Sequence, residues 1–344
     1  MPEYAILILP SANRVYTDTS RRLLRAELAV FGDTVLSTKV GESATTTIGG
    51  VDYVTFGTAA PLTDNDVAYL SNLSSAYALF EVSGELLRPL TMTPVAEFDS
   101  DLLTIQKYPG KTNELFTKLV VNLAVLATDR PAALLGRGLH VLDPLCGRGT
   151  TLNQAMMYGF DATGLELDGK DFDAYQHFIK TWLRTKRIKH SAQAGLLRRN
   201  RVRLGQRLDI EYGASKERYK AGDTRTVSYF NCDTLHTDEL VKKGSVDVIV
   251  TDAPYGVQHG SRTQDSALSR SPRDLLAAAV PTWARVLRKG GALAVSWNTY
   301  VVKRAELAEI LTGAGLTPRE EGPYTELAHR VDQAIVRDVL VATK

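Results

Sequence analysis

The chain has 344 residues, 44% of them hydrophobic and 23% charged, close to globular averages and enough for one large domain plus a smaller one. Its apolar runs, such as residues 5–9, fall far short of the roughly 20 residues that a membrane span needs, and no charged segment leads into a long apolar one as in a secretory signal. Two cysteines, Cys146 and Cys232, exclude a disulfide framework and stand in no metal-ligand spacing, so a reducing, cytoplasmic setting with neither membrane nor metal is expected.

In chain order, residues 4–9 read as a strand. Residues 20–31 read as a helix with Leu23, Leu24, Leu28 and Phe31 on one face, Ser20 as N-cap and Gly32 as the stop. Short β-like runs follow at 51–56 and 76–82, so residues 1–100 predict a small α+β domain. From about residue 112 the rhythm changes. Thr112 or Asn113 can cap a helix running to about residue 128. The pattern then gives a strand at 140–142, a helix at 151–158, a strand at 161–165 and a helix at 172–186. Further on come strands at 227–231 and 246–251, a helix near 273–287, a strand at 292–297, a helix at 303–314 and a strand at 333–341. Alternating strands and helices over residues 104–344 predict an α/β fold with a doubly wound, mostly parallel, Rossmann-like sheet. In such a sheet the ligand binds beyond the carboxyl ends of the strands.

The net charge of +2 hides an asymmetry. Residues 180–220 hold 13 Lys/Arg against 3 Asp/Glu, a local balance of +10 that leaves −8 for the rest. This basic insert, at about residues 184–224, suits a polyanion; a solvated loop without a partner is the alternative. Lys186, Arg187, Lys189, Arg198, Arg199, Arg201 and Arg203 are its candidate nucleic-acid contacts.

Four runs at strand ends carry the chemistry. Residues 141–151, Val-Leu-Asp-Pro-Leu-Cys-Gly-Arg-Gly-Thr-Thr, take a strand ending at Asp143 through a tight turn shaped by Gly147 and Gly149 into a helix. A dinucleotide fingerprint would need glycine where Leu152 stands, and a phosphate-binding loop would need it at Ile105. Residues 164–168, Gly-Leu-Glu-Leu-Asp, place Glu166, with Asp168 as second choice, where an acid accepts from ribose hydroxyls. Residues 230–233 end in Asp233, an acceptor for an adenine amino group. Residues 248–256, Val-Ile-Val-Thr-Asp-Ala-Pro-Tyr-Gly, deliver Asp252 to a strand tip followed by Ala253, Pro254 and Tyr255. Each run also admits a plainer reading as an ordinary strand end.

The Asp143–Thr150 run resembles motif I of class I S-adenosylmethionine (SAM)-dependent methyltransferases. Residues 252–255 resemble the Asp/Asn-Pro-Pro-Tyr/Phe motif of methyltransferases that modify exocyclic amino groups of bases, with Ala253 in place of the first proline. Together they resemble the tRNA guanine-N2 methyltransferases over residues 104–344. The N-terminal pattern is loosely similar to the ferredoxin-like domain that opens those proteins, whereas their tRNA-binding THUMP domain is not recognisable.

The resemblance implies SAM as cofactor, surrounded by Asp143, Pro144, Cys146, Gly147, Gly149, Thr150 and Thr151, with Glu166 or Asp168 on the ribose and Asp233 on the adenine. It also implies that Asp252 and the Ala253 carbonyl accept from the target amine, an arrangement that holds a ring-delocalised lone pair toward the methyl group. Pro254 biases residue 253 toward an extended backbone, and Tyr255 stacks on a flipped base. The segment 104–127 resembles the helix that covers the cofactor's methionine end. The polar loop 256–272, with His259, Arg262 and Arg270, is placed to contact substrate. The implied partner is tRNA, favoured over DNA, with a small activator protein as some relatives need. DNA adenine-N6 or cytosine-N4 methylation, and a non-catalytic nucleic-acid-binding protein that keeps the fold, remain alternatives.

Overall fold

The computed structural model describes residues 1–9, 14–199, 202–255 and 271–344, with the backbone alone at 14–18, 199 and 202–203. The first part contains β1 (Glu3–Ile8), α1 (Arg14–Thr34), β2 (Ala44–Ile48), β3 (Val51–Gly57), α2 (Asp64–Leu70), β4 (Ala76–Ser83) and β5 (Leu86–Leu90). Its strands form an antiparallel sheet in the order β2-β3-β1-β4-β5. This is a split βαβ arrangement with one more strand at its edge. Gly49 and Gly50, with φ of +59° and +82°, make the two-residue turn joining β2 to β3.

The short helix α3 (Asp101–Thr104) leads to the second part: α4 (Glu114–Leu126), β6 (His140–Asp143), α5 (Thr150–Met157), β7 (Asp161–Glu166), α6 (Gly169–Thr185), β8 (His190–Arg199), β9 (Val202–Tyr212), α7 (Lys216–Lys220), β10 (Arg225–Asn231), α8 (Thr237–Leu240), β11 (Val246–Asp252), α9 (Pro272–Val286), β12 (Leu287–Asn298), α10 (Arg304–Gly313), β13 (Thr317–Pro318), β14 (His329–Arg330) and β15 (Val336–Thr343). A ten-stranded sheet runs β13-β15-β12-β11-β6-β7-β10-β9-β8, with β14 paired to β15. The five central strands, β12, β11, β6, β7 and β10, are parallel. The chain leaves β6 toward β7 and β10, then returns past it to β11 and β12. The switch point therefore lies between β6 and β11, where a crevice opens beyond the strand ends.

Burial on both faces explains the apolar runs at residues 248–250 in β11 and 292–295 in β12. Val248 and Val250 face a core shared with α4, α5 and the N-terminal part, whereas Ile249 faces one shared with α9 and α10. On β12 the same alternation puts Ala292 and Ala294 under α4, and Leu293, Val295 and Trp297 under α9 and α10. Among the described residues no helix is long and apolar enough to cross a membrane.

The N-terminal part braces α4 through buried polar groups. The Glu27 carboxylate accepts from the Ser74 amide (2.9 Å) and hydroxyl (2.6 Å) and from Asn122 Nδ2 (2.7 Å), while Asn122 Oδ1 accepts from the Tyr158 hydroxyl (2.7 Å). Burial pushes the Glu27 carboxyl up, against the pull of these donors.

The basic insert contains two strands that the sequence pattern does not announce. β8 and β9 form a hairpin that extends the sheet antiparallel to β10. In β9 the residues Leu208, Ile210 and Tyr212 alternate inward, an ordinary strand signal that the charges between them had masked. Gln206 pairs with Asn231, the last residue of β10, and Arg199 pairs with Val202. The end of the hairpin therefore overhangs the carboxyl edge of the sheet by roughly 10–13 Å.

Candidate active site

Two neighbouring strand tips, β6 and β11, meet over a cleft of about 280 Å³. Asp143, Cys146, Gly147, Thr150, Thr151 and Asp252–Tyr255 line it, together with Tyr108, Thr112, Phe116 and Ser296.

At the β6 tip Asp143 is 4% exposed. Burial pushes its carboxyl up to about 7, against the pull of the Thr151 hydroxyl and the Leu145 N–H, and nearby Asp252 adds to the rise. The turn that follows has two left-handed glycines with different duties. A Cβ on Gly147 (φ +49°) would stand in open space, so this backbone faces the cleft unshielded. A Cβ on Gly149 (φ +75°) would lie 2.4 Å from the Tyr175 ring, so this glycine serves the packing of α6 against the turn. Glu166, at the β7 tip, accepts from the Gly147 N–H (2.9 Å) and the Asp168 N–H (2.8 Å), and so braces the glycine turn. Burial pushes its carboxyl up.

At the β11 tip Asp252 stands opposite Ser296 of β12. Its carboxylate accepts from the Thr112 hydroxyl at 2.7 Å, from the Tyr255 hydroxyl at 2.6 and 2.7 Å, and from the Ser296 hydroxyl. Its side chain remains 24% exposed. Thr112 reaches it because Asn113 caps α4, accepting from the Leu115 and Phe116 amides, which starts that helix at the cleft. The loop before α4 covers the β6 side. Tyr108 lies under the Arg148 guanidinium (4.6 Å to the ring centre), and Arg148 Nε donates to Asp171 (2.7 Å).

The sequence-predicted residues divide. Asp143, Cys146, Gly147, Thr150, Thr151, Asp252, Ala253, Pro254 and Tyr255 share the cleft; Pro144, Gly149, Glu166, Asp168 and Asp233 do not line it. Asp168 caps α6 by accepting from the Lys170 N–H, and Asp233 caps the turn Thr234–His236 by accepting from the Leu235 N–H. Tyr255 turns its hydroxyl into Asp252.

In the insert, Lys186 is paired with Asp99 (2.8 Å) and Asp101 (2.6 Å), which ties α6 to the segment around α3. Arg187, Lys189 and Arg198 are exposed; Arg198 pairs in register with Arg203 near the hairpin end. Arg201, His259, Arg262 and Arg270 lie outside the described residues. Sequence reasoning missed Tyr108, Ser296 and, behind Tyr255, Arg337, which comes from β15 with a guanidinium 3.7 Å from Asp252.

A glycine turn at one central strand tip and an Asp-Ala-Pro-Tyr run at the next define a Rossmann-like domain that takes a nucleoside-type cofactor at its switch point. The chain belongs to the RMKL-like methyltransferase domain family, UPF0020, which it matches over residues 132–303. It is 28% identical over 122 residues to the ribosomal RNA large subunit methyltransferase K/L of Buchnera aphidicola subsp. Schizaphis graminum (strain Sg), a match covering 34% of this chain and 18% of that protein. The chain thus spans less than a fifth of that relative's length. Among solved structures, it aligns with a TehB-like SAM-dependent methyltransferase from Corynebacterium glutamicum at 15% identity and a TM-score of 0.35, over 62% of this chain and 84% of that one. It also aligns with a putative rRNA-methylase from Clostridium thermocellum at 12% identity and a TM-score of 0.35, over 60% and 88%.

The cofactor of this domain is S-adenosylmethionine, and the residues present fit it. Asp143 is a buried carboxylate at the cleft that pairs with no lysine or arginine among the described residues, which suits a cationic ligand. The unshielded Gly147 backbone leaves room beside it.

Proposed function

We propose that this protein transfers a methyl group from SAM to an exocyclic amino group of an RNA base, with guanine-N2 of tRNA as the particular target. The observation that carries the reading is Asp252: a partly exposed carboxylate at a strand tip adjoining Asp143, within one cleft, ringed by neutral donors that an amine can replace. SAM supplies an electrophilic methyl group on its sulfonium sulfur. Asp143, Cys146, Gly147, Thr150 and Thr151 hold the donor. The Asp252 carboxylate and the Ala253 carbonyl accept the N–H groups of the target amine and aim its lone pair. After transfer the surplus proton on nitrogen passes to Asp252. Positioning supplies most of the acceleration. Tyr255 leaves Asp252 and stacks on the flipped base. The hairpin overhangs the same carboxyl edge of the sheet three strands from β6, and its basic residues, Arg198, Arg199 and Arg203, grip the RNA backbone there.

A second target follows from the relative named for large-subunit ribosomal RNA. Tritiated methyl transfer to total tRNA, ribosomal RNA and genomic DNA, followed by nucleoside analysis, separates the readings. Label in N2-methylguanosine from tRNA is the expected result. Label in ribosomal RNA moves the target, and label confined to DNA overturns the RNA reading.

A further inference from the structure

Arg337 lies on β15, outside the segment that matches the family. Its cross-strand neighbours are Asn298 on β12 and His329 on β14. The side chain is 7% exposed, and its guanidinium lies near two aromatic rings, 4.5 Å from the centre of Phe116 and 5.1 Å from that of Tyr255. One Nη is 3.7 Å from Oδ2 of Asp252, while the buried Nε has no hydrogen-bond partner. An arginine withdrawn from water ordinarily satisfies its five donors with carboxylates or carbonyls. Here two π faces and one long ion pair hold the charge. A methionine of similar length fills such a slot without desolvating a cation, so packing alone does not call for the guanidinium.

What does call for it is the carboxylate. Thr112, Ser296 and Tyr255 approach Asp252 from three separate segments, and all three are neutral donors. Among the described residues, the other ionisable groups that act on it include Asp143 on β6 and His329 on β14. Burial, aided by the nearby Arg337 charge, pushes the His329 imidazole down to about 4, so it is uncharged at neutral pH. Among the described residues Arg337 is therefore the one cation within ion-pair reach of Asp252. It also lies over the ring of Tyr255, the donor that has to leave when a target amine arrives.

We propose that Arg337 is a positioning residue for methyl transfer: it holds the Asp252 carboxylate in place through the exchange in which the Tyr255 phenol departs and the target amine docks. The inference rests on the reading of Asp252 as the acceptor of that amine. Its one ionic partner among the described residues is Asp252, so its effect belongs to kcat and not to the binding of the methyl donor.

The test is steady-state methyl transfer to RNA, with SAM affinity from calorimetry, for Arg337→Met, Arg337→Gln, Arg337→Lys, Asp252→Asn, Asp252→Ala and the Asp252→Asn/Arg337→Met double variant. The neutral variants are expected to lose roughly 10- to 100-fold in kcat, by analogy with the outer-shell partners of metal ligands, with SAM affinity within about twofold of the parent. Arg337→Lys recovers part of the loss, and the double variant is no slower than Asp252→Asn alone. Near-normal kcat in Arg337→Met, additive losses in the double variant, or loss of SAM binding in both neutral variants overturns the inference. Normal turnover by Asp252→Ala, which removes the acceptor altogether, instead overturns the reading on which it rests.

Discussion

Asp143 and Asp252 are the same residue type at the tips of adjacent parallel strands, yet the fold treats them differently. Asp143 is sealed at 4% exposure and burial pushes it up to about 7, whereas Asp252 keeps 24% of its side chain exposed and is surrounded by hydroxyl donors from three segments. A sealed carboxylate with no counter-ion among the described residues suits a cationic ligand held inside the cleft. A carboxylate held by exchangeable hydroxyls is matched to a group that comes and goes. Fold topology puts both on one cleft; the side chains around each tip give it its task.

The largest effect that sharpens this contrast is on stability. The folded-state pKa of Asp143 lies above its ordinary value of 3.8, so between about pH 4 and about pH 7 the native state holds a proton that the unfolded chain has released. The contribution of Asp143 to stability is therefore highest below that window and falls as pH rises through it. The stability of Asp143→Asn relative to the parent is expected to rise by on the order of 3–4 kcal/mol between pH 4 and pH 8, read from denaturant titrations. A pH-independent difference would put both aspartates in the same class.

A smaller effect separates the two parts of Tyr255. Tyr255→Phe removes the hydroxyl that occupies Asp252 and keeps the ring, so acceptor kcat/KM is expected to rise about 5- to 10-fold. Tyr255→Ala removes the stacking surface as well and is expected to lower it about 10-fold or more. Neither change is expected to alter SAM affinity by calorimetry. If both lower turnover equally, the hydroxyl helps the reaction and does not guard the carboxylate.

The smallest effect tests the hairpin, which concerns acceptor binding alone. Alanine at Arg198, Arg199 or Arg203 is expected to flatten the dependence of log RNA affinity on log salt by about 0.7 per residue. Lys186→Ala leaves that slope unchanged, because Lys186 is committed to Asp99 and Asp101. Equal slopes in all four variants would remove the hairpin from the interface.

The parts legible in the sequence were those that a short run of backbone dictates. An apolar strand, a glycine turn and a helix start announce Asp143–Thr151 because the turn cannot form without glycine at φ above zero. Asp252–Tyr255 was legible for a similar reason, as a strand that halts at a proline-bearing turn. Thr112 and Ser296 were not, since they lie 140 and 44 residues from Asp252 and only sheet register and helix packing bring them there. Arg337 is hidden in the same way. Spacing puts Glu166 at the β7 tip, but the groups it binds, the Gly147 and Asp168 amides, follow from where that tip stands beside the glycine turn. The hairpin was overlooked because its charges outweighed the alternation of Leu208, Ile210 and Tyr212.

The division of labour between the two tips is tested most directly by Asp252→Ala, with SAM affinity from calorimetry and methyl transfer from single-turnover labelling in one preparation. The predicted result is parental SAM affinity with transfer slowed ~10²–10³-fold, the size of effect seen when one transition-state hydrogen-bonding group is removed. Near-parental transfer, or SAM binding lost together with transfer, would contradict it.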